Sequence, residues 1–65
     1  MKTGDYLLIG TFVYRIMRMD YRLDSLVLCC VMTNQVHIMS LRNVKYEMSV
    51  GRIKCCGKIG ILLFS

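Results

Sequence analysis

Residues 25–44 decide the fold of this chain: SLVLCCVMT (25–33) is followed by Asn34-Gln35 and then by VHIMSLRNV (36–44). Two mainly apolar runs, rich in Val, Ile and Leu, flank a polar pair that can turn the chain. This pattern is typical of two antiparallel strands joined as a hairpin. A helix is disfavoured in this segment, because no 3.6-residue stripe separates apolar from charged positions.

The hairpin predicts which side chains share a face of the sheet. With Asn34-Gln35 as a two-residue turn, Cys30 lies opposite Met39 and Cys29 lies opposite Ser40. Side chains alternate between the two faces along each strand. We expect the face with the larger side chains to form the core, and it carries Leu26, Leu28, Cys30, Met32, His37, Met39 and Leu41. A one-residue slip of the turn would exchange the two faces.

The second face of this hairpin is more apolar than a water-exposed face should be. Its apolar members are Val27, Cys29, Val31, Val36 and Ile38. We therefore predict that these five residues form an interface. Another subunit, a different protein or the C-terminal segment would cover it.

Further strands are predicted on both sides of the hairpin, at YLLI (6–9), FVYRIMRM (12–19), RIKCC (52–56) and IGILLF (59–64). The segment KYEMSVG (45–51) holds a short turn or a single helical turn. Strict alternation over residues 12–19 places Arg18 on one side and Arg15 on the other. A β-bulge would re-aim part of this strand.

The order of these segments resembles the SH3-like small-barrel pattern. GDYLLIGTFVYRIMRMD, the corner DYRLD (20–24), SLVLCCV and VHIMSLRNV carry the resemblance, which covers residues 4–54. It implies an all-β fold: a small five-stranded SH3-like barrel with a short extra C-terminal strand or tail, in a single domain over 1–65. Such barrels bind proteins or nucleic acids, often as oligomers, and small phage-encoded proteins share this style. The resemblance carries over no functional residue.

Composition points to association and to acidic partners. The hydrophobic fraction is 55% in a chain of 65 residues, and a domain of this size buries only about 60% of its unfolded surface. We therefore expect a homo-oligomer. The formal net charge of +5 favours acidic partners. No signal peptide and no membrane span are apparent, so the expected location is cytoplasmic, with reduced thiols.

The chemistry of the chain does not resemble that of an enzyme. Cys29-Cys30 and Cys55-Cys56 are vicinal pairs whose sulfurs diverge in a strand, whereas zinc ligands usually come in C-x2-C pairs. His37 is the single histidine, and no nucleophile–base pair or phosphate-binding glycine loop accompanies it. We predict no catalytic residue, no metal and no cofactor.

Protein binding is the function that these features favour. The basic residues predicted to steer the chain to an acidic protein surface are Arg15, Arg18, Arg52, Lys54 and Lys58. The expected protein is a non-enzymatic, self-associating barrel that occupies a surface on another protein, such as a phage-type inhibitor of a host protein. The alternative is a nucleic-acid-binding barrel that uses the same residues on phosphates, with tyrosines stacking on bases.

Overall fold

The fold is an antiparallel sheet with one short helix, seen in a computed structural model that describes residues 1–57. Its elements, in chain order, are β1 (Tyr6–Ile9), β2 (Phe12–Asp20), β3 (Ser25–Cys30), β4 (Val36–Ser40), α1 (Leu41–Ser49) and β5 (Ile53–Cys56). The mainly β class is confirmed. The C-terminal strand or tail expected over 59–64, and Lys58, lie outside the described residues.

The five strands form one sheet in the order β4-β3-β2-β1-β5. Consecutive strands from β1 to β4 pair as a meander, and β5 returns to pair with β1. The sheet is not closed into a barrel, because β4 and β5 are its two edges within residues 1–57. Within the same residues, no helix combines the length and the apolar character that crossing a bilayer requires.

The core lies on one side of the sheet, which we call the inner face. Burial alternates along β3, where Leu26, Leu28 and Cys30 are buried and the residues between them are only half-buried. The remaining buried members of the core come from other elements, and they are Leu7, Ile16, Leu41, Val44 and Ile53. Helix α1 therefore supplies part of the cover that the open sheet needs.

The hairpin differs from its prediction in its turn. Residues 31–34 form a four-residue loop, in which the Asn34 N–H donates to the Cys30 carbonyl at 2.8 Å and Asn34 adopts a φ of +60°. Cys29 consequently lies opposite Val36 instead of Ser40, and Cys30 does not lie opposite Met39. The predicted register was wrong by an even number of residues, so the residues that do pair between β3 and β4 keep their predicted faces.

The loop also changes exposure at the end of the hairpin. Met32 and His37 were predicted to be core residues, and both are exposed. Met32 leaves the sheet with the loop, and His37 lies on the edge strand, where no further strand flanks it among the described residues. The ring of His37 meets that of Tyr14 edge-on, with centroids 5.3 Å apart.

Helix α1 replaces the second half of a predicted strand. The strand predicted over 36–44 ends at Ser40, whose hydroxyl caps the helix by accepting the Asn43 N–H at 3.2 Å. Leu41 and Val44 are buried and Met48 packs against the core. Their spacing of three and four residues places them on one face of a helix. Of the segment 45–51, predicted as a short turn or a single helical turn, residues 45–49 form the second half of this nine-residue helix and residues 50–51 form the turn that follows it.

Asp24 holds the start of α1 against the loop between β2 and β3. Its carboxylate accepts the Ser40 hydroxyl and the Arg42 N–H, and its carbonyl accepts the Leu41 N–H. The hydrogen bond from Ser40 and then that from Arg42 hold the pKa of Asp24 below its ordinary value. Because the ionised form is favoured in the folded state, this contribution to stability is present at neutral pH and is lost on acidification.

Asp24→Asn should therefore lower stability at pH 7 and reduce its decline below about pH 4. Asparagine tolerates the left-handed backbone that Asp24 adopts at a φ of 51°, so the change isolates the carboxylate. Unfolding free energies measured from pH 7 to pH 2 provide the check. The pKa of Glu47 is also lowered, by the hydrogen bond from Arg52, so Glu47→Gln should reduce the acid decline in the same direction and provides a second test. Parallel curves for wild type and Asp24→Asn would contradict the prediction.

Candidate interaction surface on the outer face of the sheet

The side of the sheet opposite the core, the outer face, collects residues from all five strands. The registers place on it Tyr6 and Leu8 of β1, Val13, Arg15 and Arg18 of β2, Val27 and Cys29 of β3, Val36 and Ile38 of β4, and Lys54 and Cys56 of β5. Alternation along each strand puts these side chains on one surface. Helix α1 contributes its buried residues to the core on the inner side. On the outer face Val13 is buried, whereas Arg15, Arg18, Val36, Ile38 and Lys54 are exposed.

An apolar strip occupies the β3–β4 half of the outer face, and its members are Val27, Cys29, Val31, Val36 and Ile38. Ile38 and Val36 are 72% and 64% exposed, and they lie opposite Val27 and Cys29. Val31 extends the strip beyond β3, where its N–H donates to the Val13 carbonyl at 3.0 Å. Contiguous exposed apolar residues of this kind mark interaction sites more often than single ones do.

The basic part of the outer face lies beside this strip. Arg15 is opposite Cys29 and Arg18 is opposite Val27, and both arginines are exposed. Lys54 is also exposed, but it lies on β5 at the far edge. Among residues 1–57, the ion pairs are Arg42–Asp24 and Arg52–Glu47. Arg15 and Arg18 therefore keep their charges available for a binding partner.

A bulge in β2 is what brings the two arginines together. The register with β3 shifts between Ile16 and Arg18, so Met17 is an extra residue. Because a bulge reverses the alternation beyond it, Arg18 joins Arg15 on the outer face and Met19 turns towards the core. The prediction of strict alternation was wrong at this point. The bulged alternative is confirmed.

Arg52 belongs to a different environment from that predicted. Its guanidinium forms two hydrogen bonds with the Glu47 carboxylate and lies 5.9 Å from the centre of the Tyr46 ring. The pKa of Arg52 is accordingly raised by Glu47. This side chain links the end of α1 to β5 and is not part of the basic group on the outer face.

The acidic residues of the chain are engaged in local structure. Asp20 accepts the N–H groups of Arg22 and Leu23, at 3.0 and 3.2 Å. Asp5 accepts the Lys2 N–H at 3.0 Å. Asp24 and Glu47 hold the two ends of α1. Only Asp20 lies near the apolar strip, at the rim of a depression of about 140 Å³ that also contains Arg18 and Val27.

A second, larger depression of about 440 Å³ opens between the β1–β2 turn, β4 and α1. It is lined by Ile9, Gly10, Met39, Asn43, Glu47, Arg52 and Ile53. The lining combines apolar side chains with the Glu47–Arg52 pair. It contains neither a cysteine nor a histidine, so it offers a groove without a nucleophile. Sequence reasoning missed it because it depends on α1.

The vicinal cysteines diverge as predicted. Cys30 and Cys55 point to the inner face and Cys29 and Cys56 to the outer face, and all four are free thiols. A hydrogen bond with Thr33 lowers the pKa of Cys30, whereas burial raises the pKa of Cys55. Within the described residues, no group of three potential metal-ligating side chains converges. Each vicinal pair is divided between the two faces, and the cysteines that share a face lie on β3 and β5 with β2 and β1 between them, so the thiols do not form a joint site.

The tyrosines are distributed over several surfaces. Tyr6 is on the outer face and Tyr14 on the inner face, while the ring of Tyr21 meets the Lys45 ammonium at 4.9 Å. Tyr46 lies beside Arg52 on α1. Tyr6 lies opposite Arg15, but the other three tyrosines do not join it in a platform beside Arg15 and Arg18.

Comparison with known proteins adds no relative, since no protein-family model, curated protein or solved structure matches this chain.

Proposed function

We propose that the protein is a non-enzymatic binding module whose outer face docks on an acidic surface of another protein. The observation that carries the proposal is the position of Arg15 and Arg18 directly beside the exposed apolar strip. The combination suits a protein surface, in which apolar contact supplies most of the affinity and charge guides the encounter. Occupying such a surface is sufficient to inhibit the partner.

The apolar strip supports a protein partner over a small ligand. A strand face is flat, and its side chains present area instead of an enclosed cavity. Small-molecule sites are concave, with a few convergent polar groups. The depression beside the strip is too small for a drug-sized ligand, at about 140 Å³.

The positive charge of the outer face indicates that the partner surface is acidic. Arg15 and Arg18 are free of ion pairs among residues 1–57. The one acid nearby, Asp20, already accepts two backbone N–H groups. A partner that places carboxylates over β2 and apolar side chains over β3 and β4 would complement both parts of the surface.

Nucleic-acid binding is the second candidate, and the net charge of +5 favours it. Single-stranded nucleic acid is usually held by a basic groove lined with stacking aromatics. Tyr6 lies beside Arg15 on the outer face, but Tyr21 and Tyr46 are engaged with Lys45 and Arg52 elsewhere, so one tyrosine accompanies the two arginines. The placement of the tyrosines therefore supports the protein partner more than it supports nucleic acid.

We also propose that the fold belongs to the small-barrel class and that the chain works in a reducing compartment such as the cytoplasm. The meander of β1 to β4, with β5 returning to β1, supports the first point. Four free cysteines support the second.

Affinity capture from a cell extract, with and without nuclease, tests the proposed function. We expect a defined protein to be retained after nuclease treatment and to bind the purified chain directly. For the nucleic-acid alternative, a single-stranded oligonucleotide serves as the probe, and its log affinity should fall linearly and steeply with log salt. Loss of all captured protein after nuclease, together with such a salt slope, would overturn the proposal.

A further inference from the structure

We propose that strand β4 pairs with β4 of a second copy of the chain, antiparallel and across a two-fold axis at His37. The proposal rests on the position of β4 at the edge of the sheet. Among the described residues β4 pairs only with β3, so its other side has hydrogen-bonding groups without a strand partner. This surface is distinct from the outer face, and its use does not depend on the acidic partner.

The hydrogen-bond pattern shows which groups point to the open side. The Cys30 N–H donates to the Gln35 carbonyl at 2.9 Å, and the Leu41 N–H donates to the Asp24 carbonyl at 3.2 Å. Hydrogen-bonded pairs alternate with non-hydrogen-bonded pairs in an antiparallel ladder. The pairs of Val36 and Ile38 with β3 are therefore of the non-hydrogen-bonded kind, and the N–H and C=O of these two residues point away from the sheet.

The sequence and the register of β4 lack the features that usually keep edge strands apart. The sequence of β4, VHIMS, contains no lysine, no proline and no acidic residue. Its register with β3 is continuous, without a bulge. Charges, prolines and bulges are the usual protection against pairing between edges. Val36 and Ile38 are instead β-branched and well exposed, as a strand interior favours.

Two-fold symmetry makes this edge complementary to itself. With the axis at His37, Val36 of one copy lies opposite Ile38 of the other, and each such pair exchanges two hydrogen bonds. An axis at Val36 would instead pair Ile38 with Asn34 of the loop. An axis at Ile38 would pair Val36 with Ser40, where α1 begins. The axis at His37 alone pairs the outward groups of Val36 and Ile38 with each other, without using the loop or the N-cap residue of α1.

The distribution of charge permits the pairing. Arg15 and Arg18 lie on β2, two strands in from the edge. Five strand spacings, roughly 24 Å, would separate the two copies of β2 in the paired sheet. This exceeds the screening length of about 8 Å at physiological salt. The pairing would also place the two apolar strips side by side on one outer face.

Sedimentation equilibrium over a range of concentrations tests the pairing. We expect the mass to rise from 7.5 kDa towards twice that value with concentration. Because each copy carries a net +5, added salt should strengthen the association, in contrast to binding to an acidic partner. A single species of 7.5 kDa at all concentrations would overturn the proposal.

The Ile38→Pro variant tests the pairing between copies without disturbing the pairing of β4 with β3. Proline removes an N–H that points away from β3, so the ladder within the chain is kept. We expect a folded monomer at every concentration. Ile38→Thr is the matched control, because it also shortens the apolar side chain but retains the N–H, and it should still dimerise. Dimerisation of Ile38→Pro with wild-type affinity would contradict the pairing.

Amide exchange in the unmodified chain decides the matter even if Ile38→Pro fails to fold. The N–H groups of Val36 and Ile38 should exchange rapidly in dilute solution and become protected as the dimer forms. The N–H of Leu28, within the sheet, should be protected at both concentrations. A dimer in which the Val36 and Ile38 amides remain unprotected would show that the copies associate through another surface.

Discussion

Leu28→Ala is expected to leave most of the protein unfolded at 25 °C. Leu28 lies on β3, between Ile16 of β2 and His37 of β4, and its side chain is fully buried. Replacing a buried leucine by alanine costs about 2–5 kcal/mol, because apolar contact is lost and a cavity remains. A single core of this size supplies only about 3–5 kcal/mol in total.

The matched control is Leu23→Ala, which removes the same atoms from an exposed site. Leu23 lies between β2 and β3 and is 75% exposed, so we expect a change within about 0.5 kcal/mol. Urea unfolding followed by circular dichroism measures both variants. A Leu28→Ala protein that unfolds cooperatively at nearly the wild-type urea concentration would show that the core is not the one described.

Reversing both arginines of the outer face, Arg15→Glu with Arg18→Glu, should weaken binding to the acidic partner by roughly tenfold or more. An exposed ion pair contributes about 0.2–1 kcal/mol, and reversal replaces each attraction by a repulsion. About 1.4 kcal/mol corresponds to a tenfold change in affinity. Both side chains are exposed, so the fold should be retained, as circular dichroism will verify.

The control for net charge is Arg22→Glu with Lys45→Glu. Both pairs of reversals lower the formal net charge from +5 by four, but Arg22 lies in a loop and Lys45 on α1. Titration calorimetry with the captured partner should show wild-type affinity for this control at physiological salt. Equal weakening by both double variants would mean that net charge, and not the outer face, determines binding.

The position of the bulge at Met17 could not be predicted from the sequence. The alternation of FVYRIMRM contains both arginines, but it does not reveal which residue is inserted between ladder positions. Strict alternation separates Arg15 from Arg18, whereas the observed register unites them. Packing of Ile16 and Met19 on the same core favours the bulge, and that packing involves strands distant in the sequence.

Helix α1 was also not predicted at its full length, although the sequence contains cues for a helix at this point. Ser40 is a favourable N-cap residue, and Leu41, Val44 and Met48 have helical spacing. These cues compete with the β-branched residues immediately before them. The carboxylate of Asp24, 16 residues before Ser40, settles the competition by accepting the Ser40 hydroxyl and the Arg42 N–H.

The sequence by itself determined the positions of β1, β2, β3 and β5, the two faces of the central hairpin and the divergence of Cys29 from Cys30. All of these follow from the two-residue period of a strand, which is local. The tertiary structure alone decided the placement of Arg15 and Arg18 on one face, the engagement of Arg52 with Glu47 and, among residues 1–57, the position of β4 at an edge of the sheet. These depend on register and on contacts between distant residues, which local periodicity does not encode.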